Sequence, residues 1–350
     1  MEAMTEETSM DIDFIITWVD GNDPEWQAEK ARYSGSSLSD SGASRYREWD
    51  NLRYWFRSVE KFAPWVHKVF FVTCGHYPAW LNLDNPKLQL VKHSDYIPAE
   101  WLPTFSSRAI DMNFQRIDAL SEHFVYFNDD MFLIAPTKPE DFFINGLPCE
   151  TAIENASYLG KADADTGKRR SMNKVYLAPS LDMIPINANF NKKQAIRKNF
   201  WKWYSPKYGF GWMRTLLLTP WKYFTGFMSF HLPYSYLKST YSEVWEREPE
   251  LLTPACAHKF REITDLNHWV FNYWQIAKGT FSPRSPRIGR QFGLHSNEAL
   301  NQEVYAAIRE QRYKLVCVND EVGAENFESV KAHLNQTLET ILPEKSSFEI

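Results

Sequence analysis

The stretch Asp11–Pro24 reads DIDFIITWVDGNDP. Asp11–Val19 is rich in Ile and Phe and predicts a buried β-strand, which stops in the turn cluster Asp20-Gly21-Asn22-Asp23-Pro24. Outward from it the same grammar repeats. From Asp50, the expected N-cap, to Lys61, the residues Leu52, Trp55, Phe56, Val59 and Phe62 recur at helical spacing, and Pro64 follows the end. Val66–Thr73 (VHKVFFVT) and Leu88–Lys92 (LQLVK) read as strands, and Ser107–Leu120 as a helix. His123–Asn128 (HFVYFN) is a further strand that stops at Asp129-Asp130. Strand, helix and strand in repetition predict an α/β fold with a mostly parallel sheet. In such sheets ligands bind beyond the carboxyl ends of the strands. Both acidic clusters, Asp20 to Asp23 and Asn128-Asp129-Asp130, fall at such ends.

After about residue 150 the pattern changes. Tyr158–Lys174 reads as a charged loop, and Asn191–Tyr204, Tyr236–Arg247, Asp265–Lys278 and Asn297–Arg312 as helices. Lys314–Val318 (KLVCV) reads as one more strand, ending in Asn319-Asp320. The simplest organisation has a disordered tail over 1–10 and an α/β core over 11–150. A mainly helical insertion over 151–290 completes the active site. A segment over 291–350 returns to the core, with the last strand joining the sheet. Ser34–Ser44 (SGSSLSDSGAS) reads as a flexible loop.

Composition narrows the function classes. The chain has 350 residues, enough for a sizeable core, with 16% aromatics and a net charge of −5. No basic excess points to nucleic acid. Cys74, Cys149, Cys256 and Cys317 are scattered and form no CxxC pair, which fits a reducing compartment and gives neither a zinc nor a disulfide framework. The first ten residues, MEAMTEETSM, lack the features of a signal peptide, and no apolar run reaches spanning length. A cytoplasmic enzyme is expected.

The residues that could carry chemistry are few. Adjacent carboxylates at a strand end can hold Mg²⁺ or Mn²⁺ against phosphate oxygens; Asp129 and Asp130 taken alone would equally start a turn. His231, in Ser-Phe-His-Leu-Pro, could take a proton from an attacking hydroxyl or serve as a hydrogen-bonded core histidine. Arg261, in His-Lys-Phe-Arg, could grip a pyrophosphate bidentately or be a surface or helix-cap arginine.

Taken together, these pieces resemble a known family. Asp13–Pro24 (DFIITWVDGNDP) is similar to the first signature block of the Stealth family, and Trp49–Asp130 to the second, through NLRYWFRSVEKFAPWVHKVFFVT, PAWLNLDNPKLQLVKHSD, LPTFSSRAI and LSEHFVYFNDD. FMSFHLPYSYLKS, HKFREITDLN and YWQIAKG resemble the third block and VCVND the fourth, in the family's order. The resemblance implies transfer of a hexose-1-phosphate or N-acetylhexosamine-1-phosphate from a UDP-sugar to a glycan or lipid-linked saccharide hydroxyl, with release of UMP, in capsular or exopolysaccharide synthesis. It implies a Rossmann-like, GT-A-like nucleotide-sugar-binding core and a divalent metal. Carried over by position, it gives Asp129, Asp130 and Asp320 as metal ligands and Asp20, Asp23, Asn128 and Asp265 as substrate-binding residues. Asn319 matches beside Asp320. His231 is the implied base, Arg261 the charge stabiliser and Asp130 the reserve base. The departures are Trp55 and Phe56, where smaller residues are common, and Cys74, where Asp or Asn is frequent. The alternatives are a metal-dependent GT-A-like glycosyltransferase, which would release UDP, and a sugar-nucleotide-binding module without turnover.

One segment stands apart. Phe200–Phe230 interleaves Trp201, Trp203, Trp212 and Trp221 with Lys202, Lys207, Arg214 and Lys222. Its charges, Pro206 and Pro220 exclude a membrane span. The two readings are aromatics packing the insertion against the core, and peripheral contact with the inner face of the cell membrane.

Overall fold

The computed structural model describes residues 10–34, 46–156, 171–262 and 264–350. The readings over 1–9 and 35–44, and over most of 158–174, fall outside them.

The α/β expectation holds. Strands β1 (Ile12–Thr17), β2 (Val69–Thr73), β3 (Leu88–Lys92) and β4 (His123–Phe127) form a parallel sheet in the order β3-β2-β1-β4. Residues alternate between its two faces, and both faces are covered. Phe14, Ile16, Phe71 and Phe127 enter one apolar cluster, and Ile15, Phe70, Val72 and Tyr126 the other. That explains the near-continuous apolar reading of each strand. The first cluster includes the helix Leu52–Phe62, whose Trp55 and Phe56 are fully buried against Phe127 and Phe71. Asp50 does not cap this helix: its backbone is left-handed (φ 53°), its carboxylate pairs with Lys331, and Asn51 occupies the cap position.

The chain runs outward from β1 to β2 and β3, then returns to the other side of β1 as β4. The order therefore reverses between β1 and β4, and the crevice at their carboxyl ends is the topological switch point. Asp20 follows β1 there, and Asn128-Asp129-Asp130 follows β4.

Two strands depart from expectation. The last strand does not join the main sheet. After β4 the chain forms β5 (Met131–Leu133), the hairpin strands β6 (Phe143–Ile144) and β7 (Leu147–Glu150), β8 (Tyr234–Leu237), β9 (Ser282–Pro283), β10 (Gly289–His295) and β11 (Leu315–Glu321). β11 lies in a second sheet, parallel to β10 and antiparallel to β5. The second departure is at Tyr236, expected to open a helix. Tyr234–Leu237 instead pairs antiparallel with β4 at the main sheet's edge, and the helix begins at Lys238. Likewise the helix expected over Ser107–Leu120 is two short turns, Ser107–Asp111 and Phe114–Arg116. Between them the Asn113 side chain donates back to the Ala109 carbonyl (2.7 Å).

Candidate active site

Pairing between β5 and β11 builds the centre of the site. Cys317 faces Met131, and the next amide, Val318 N–H, donates to the Asp130 carbonyl (2.8 Å). Continued in the antiparallel sense, the ladder carries Asn319-Asp320 alongside Asp129 and Asn128. Two polar strand ends 190 residues apart in sequence are thereby placed side by side.

His231 reaches the same place from the insertion. Its Nε2 lies 3.8 Å from Asp130 Oδ2. Its backbone is left-handed (φ 46°), a conformation rare outside glycine. On the other side of Asp130, the Cys317 thiol donates to Asp130 Oδ2 (3.4 Å) and to Asn319 Oδ1 (3.2 Å). Asp130 Oδ1 is buried without a hydrogen-bond partner among the described residues, and so is Asp320 Oδ2, which lies 3.7 Å from Arg47 Nη1.

Asp129 is open to solvent yet crowded by protein, as the floor of a cleft would be. Desolvation pushes its carboxyl up to about 7, helped by the charges of Asp130 and Glu48 and opposed by Arg261. Glu48, held by the Trp18 indole (3.0 Å), is also raised, chiefly by burial and then by Asp50 and Asp20. The cleft thus gathers more negative charge than its own cations balance. With two orphaned carboxylate oxygens, that donor set suits a hard divalent cation.

Arg261 is tied to the Ser107 hydroxyl. Its charge also lowers Asp111, which burial nonetheless pushes up to about 7. Asp265 does not offer a free carboxylate to the cleft. Oδ1 bonds His258 (2.6 Å), and Oδ2 takes the Glu262 amide (2.7 Å) and lies 3.7 Å from Arg108. Asp265 therefore shapes the loop that carries Arg261. Asp23 is likewise engaged, capping the helix Pro24–Tyr33 through the Trp26 amide (2.7 Å). Asp20 turns its Oδ1 to the Asn22 amide (2.8 Å), and its own amide donates to His76 (2.8 Å).

Sequence reasoning missed a polar pocket beside His231. Glu150, Thr151, Ser229, Tyr234, Asn272 and Arg284 line it, and its free volume is about 30 Å³, room for one water or one hydroxyl. Glu150 is buried, and desolvation takes its carboxyl up to about 7 against the pull of Arg284 and Asn272. Glu150 closes strand β7, so the strand-end rule that singled out Asp129 would have reached it had a four-residue strand been visible.

Comparison with known proteins gives the family. The chain matches Stealth protein conserved region 1 over residues 10–38, conserved region 2 over 45–149 and conserved region 4 over 306–350. It is 38% identical over 341 residues to the capsular polysaccharide phosphotransferase WcwK of Streptococcus pneumoniae, covering 97% of this chain and 98% of that protein. It is 39% identical over 346 residues to the receptor polysaccharide phosphotransferase WefC of Streptococcus oralis (97% and 99%). It is 36% identical over 341 residues to the exopolysaccharide phosphotransferase cps2G of Lactiplantibacillus plantarum (97% and 96%). The matched regions include Asp20 after β1, Asn128-Asp129-Asp130 after β4 and Asn319-Asp320 within β11, and on the matches to these regions and to full-length relatives the chain belongs to the Stealth family and is a phosphotransferase.

Proposed function

We propose that the enzyme transfers a hexose-1-phosphate or N-acetylhexosamine-1-phosphate from a UDP-sugar to a hydroxyl of a glycan or lipid-linked saccharide, in capsular or exopolysaccharide synthesis. The observation that carries this reading is the meeting of Asp129, Asp130, Asp320, His231 and the charge of Arg261 at the switch point of a parallel sheet. We read that sheet as a GT-A-like, nucleotide-sugar-binding core.

Asp129, Asp130 and Asp320 would hold Mg²⁺ or Mn²⁺, which supplies charge neutralisation at the pyrophosphate. The acceptor oxygen attacks the β-phosphorus in line. The new O–P bond forms as the bridging bond to the α-phosphate breaks, and the electron pair leaves on UMP. His231 Nε2 accepts the acceptor's proton, and Asp130 Oδ2, 3.8 Å away, stabilises the resulting imidazolium. Arg261 offsets the charge developing on the transferring group. Asp130 is the reserve base. The pocket beside His231 accepts one sugar hydroxyl, since its buried donors and acceptors discriminate strongly against a sugar lacking it.

The test is incubation with a panel of UDP-sugars, with and without acceptor glycans, and analysis of the nucleotide product. UMP is expected. UDP would identify a glycosyltransferase, and tight binding with no turnover on any acceptor would identify a binding module.

A further inference from the structure

We propose that residues 193–223 form a docking surface for an anionic lipid bilayer. Of the fourteen large apolar side chains that stand exposed among the described residues, eight fall between Phe200 and Tyr223. They include Trp201 at 83%, Phe210 at 87%, Leu217 at 77% and Trp221 at 65% exposure. The packing alternative accounts for only part of the segment: Trp203, Tyr208 and Phe224 are buried, and the exposed residues interleave with them.

Local structure explains the division. Lys192 Nζ, wholly buried on Glu154 (2.7 Å), also donates to the carbonyl of Leu218 (2.6 Å) and roots the segment in the core. In the helix Trp212–Leu218, Thr215 points inward while Met213, Leu216 and Leu217 share the opposite face. The Tyr204 hydroxyl meets Thr219 Oγ1 (2.7 Å), and the Phe200 ring packs on Tyr204 and Trp201. The two exposed groups are thereby neighbours on one surface.

Charge selects the occupant. Between Asp182 and Glu243 the chain carries no acidic residue, although its net charge is −5. Lys193, Arg197, Lys198, Lys207, Arg214 and Lys222 are exposed there. A second copy docking through the same patch would set these cations against one another. A bilayer with anionic headgroups takes both parts, with aromatic and aliphatic tips in the interface and basic side chains on the phosphates. Lys202 is excluded from that set: it donates to the Gly279 carbonyl (2.7 Å), and burial lowers its ammonium. Substituting it would disturb the fold as well as the surface.

The experiment is co-sedimentation of the full chain with vesicles of phosphatidylcholine alone or with phosphatidylglycerol, at low and physiological salt. Binding should require phosphatidylglycerol and weaken with salt. Changing Lys193, Arg197, Lys207 and Lys222 together to Glu should lower partitioning at least about a hundredfold. Trp201→Ser, Leu217→Ser and Trp221→Ser combined should abolish it with the circular dichroism spectrum unchanged. Brominated lipids should quench the tryptophan fluorescence of the unmodified protein. The proposal falls if the unmodified chain ignores phosphatidylglycerol vesicles at low salt, or if neither variant changes binding. It also falls if the patch instead mediates a solution dimer that the serine variant dissolves.

Discussion

Replacing Lys192 with Met should be among the most damaging single changes outside the cleft. Both side chains of the Lys192–Glu154 pair are fully buried, at 2.7 Å. Glu154 Oε1 also accepts from the Thr225 amide (3.2 Å) and hydroxyl (3.3 Å), while Oε2 has no partner among the described residues. Removing the ammonium strands a buried carboxylate, which costs about 3–5 kcal/mol. It also frees the Leu218 carbonyl, for a further loss of about 1 kcal/mol. Removing both charges together, as Lys192→Met with Glu154→Leu, should recover most of this, because the desolvation cost goes with the charges. The pH dependence has a definite sign. Burial already raises the Glu154 carboxyl above its ordinary value. A folded-state value above the unfolded one contributes stability below the unfolded pKa and loses it as pH rises. Without Lys192 the shift grows, so the loss measured by urea unfolding should be larger at pH 7.5 than at pH 5. A single variant within about 1 kcal/mol of the unmodified protein at pH 7.5, or a double variant no better than the single, would refute the reasoning.

Three further outcomes follow from the cleft. Turnover should vanish in EDTA and return with Mg²⁺ or Mn²⁺; Asp129→Asn, Asp130→Asn and Asp320→Asn should lose activity far beyond any change in melting temperature, and full activity in chelator would remove the metal role. His231→Ala should reduce turnover roughly 10²–10⁴-fold with the fold intact, and Arg261→Lys should be poor because a point charge cannot replace the guanidinium fork; unchanged specific activity of the folded His231→Ala fraction would make it a structural histidine. Glu150 is raised from 4.5 to about 7, so its stabilising contribution is complete below pH 4.5 and lost as pH rises through 7, at most about 3 kcal/mol; Glu150→Gln should gain stability over the unmodified protein at pH 8 and match it near pH 4.5, and parallel curves for the two would refute the shift.

The legible parts of this fold are those with a local signal. β1 and β4 are apolar runs that end abruptly in Asp; the strand-end rule marked Asp129 and Asp130 as candidates that could equally start a turn, and the family resemblance singled them out. The pairing of β11 was not legible. Its partner β5 has three residues, too few to show a period, and the chain passes through the whole insertion before the partner returns. Tyr234–Leu237 is an edge strand whose partners lie far upstream, Tyr126 facing Tyr234 and His123 facing Leu237. No window of local sequence contains that contact. The engaged carboxylates show the converse limit. Asp23 and Asp265 are the same residue type as Asp129, and only their neighbours, the Trp26 amide and His258, reveal that one caps a helix and the other holds a loop. In residues 200–223 the aromatic content was evident, but which ring faces outward depends on turns that composition does not encode: Trp201 is exposed and Trp203 is fully buried.

Cys317 decides how the cleft's donor set is used. Asp130, His231 and Cys317 each place one ligand atom within 4.8 Å of the others, an arrangement that would suit a soft cation. The thiol, however, donates to two oxygens, and burial with the nearby Asp130 charge holds it well above its usual range. We read it as a neutral S–H that orients Asp130, leaving the carboxylates of Asp129, Asp130 and Asp320 to a hard cation. Asp130 Oδ2 then faces both the thiol and His231, and on that reading the orphaned Oδ1 would be the oxygen left for a metal. A carboxylate so engaged is a poorer base than the imidazole beside it. Cys317→Ser keeps a donor of similar reach, so Mg²⁺-supported turnover should stay within about tenfold of the unmodified enzyme, the lower edge of what removing a ligand's supporting contact costs. A loss well beyond about a hundredfold, with the apparent Mg²⁺ affinity weakened and the melting temperature intact, would make the thiol a ligand in its own right and overturn this division of roles.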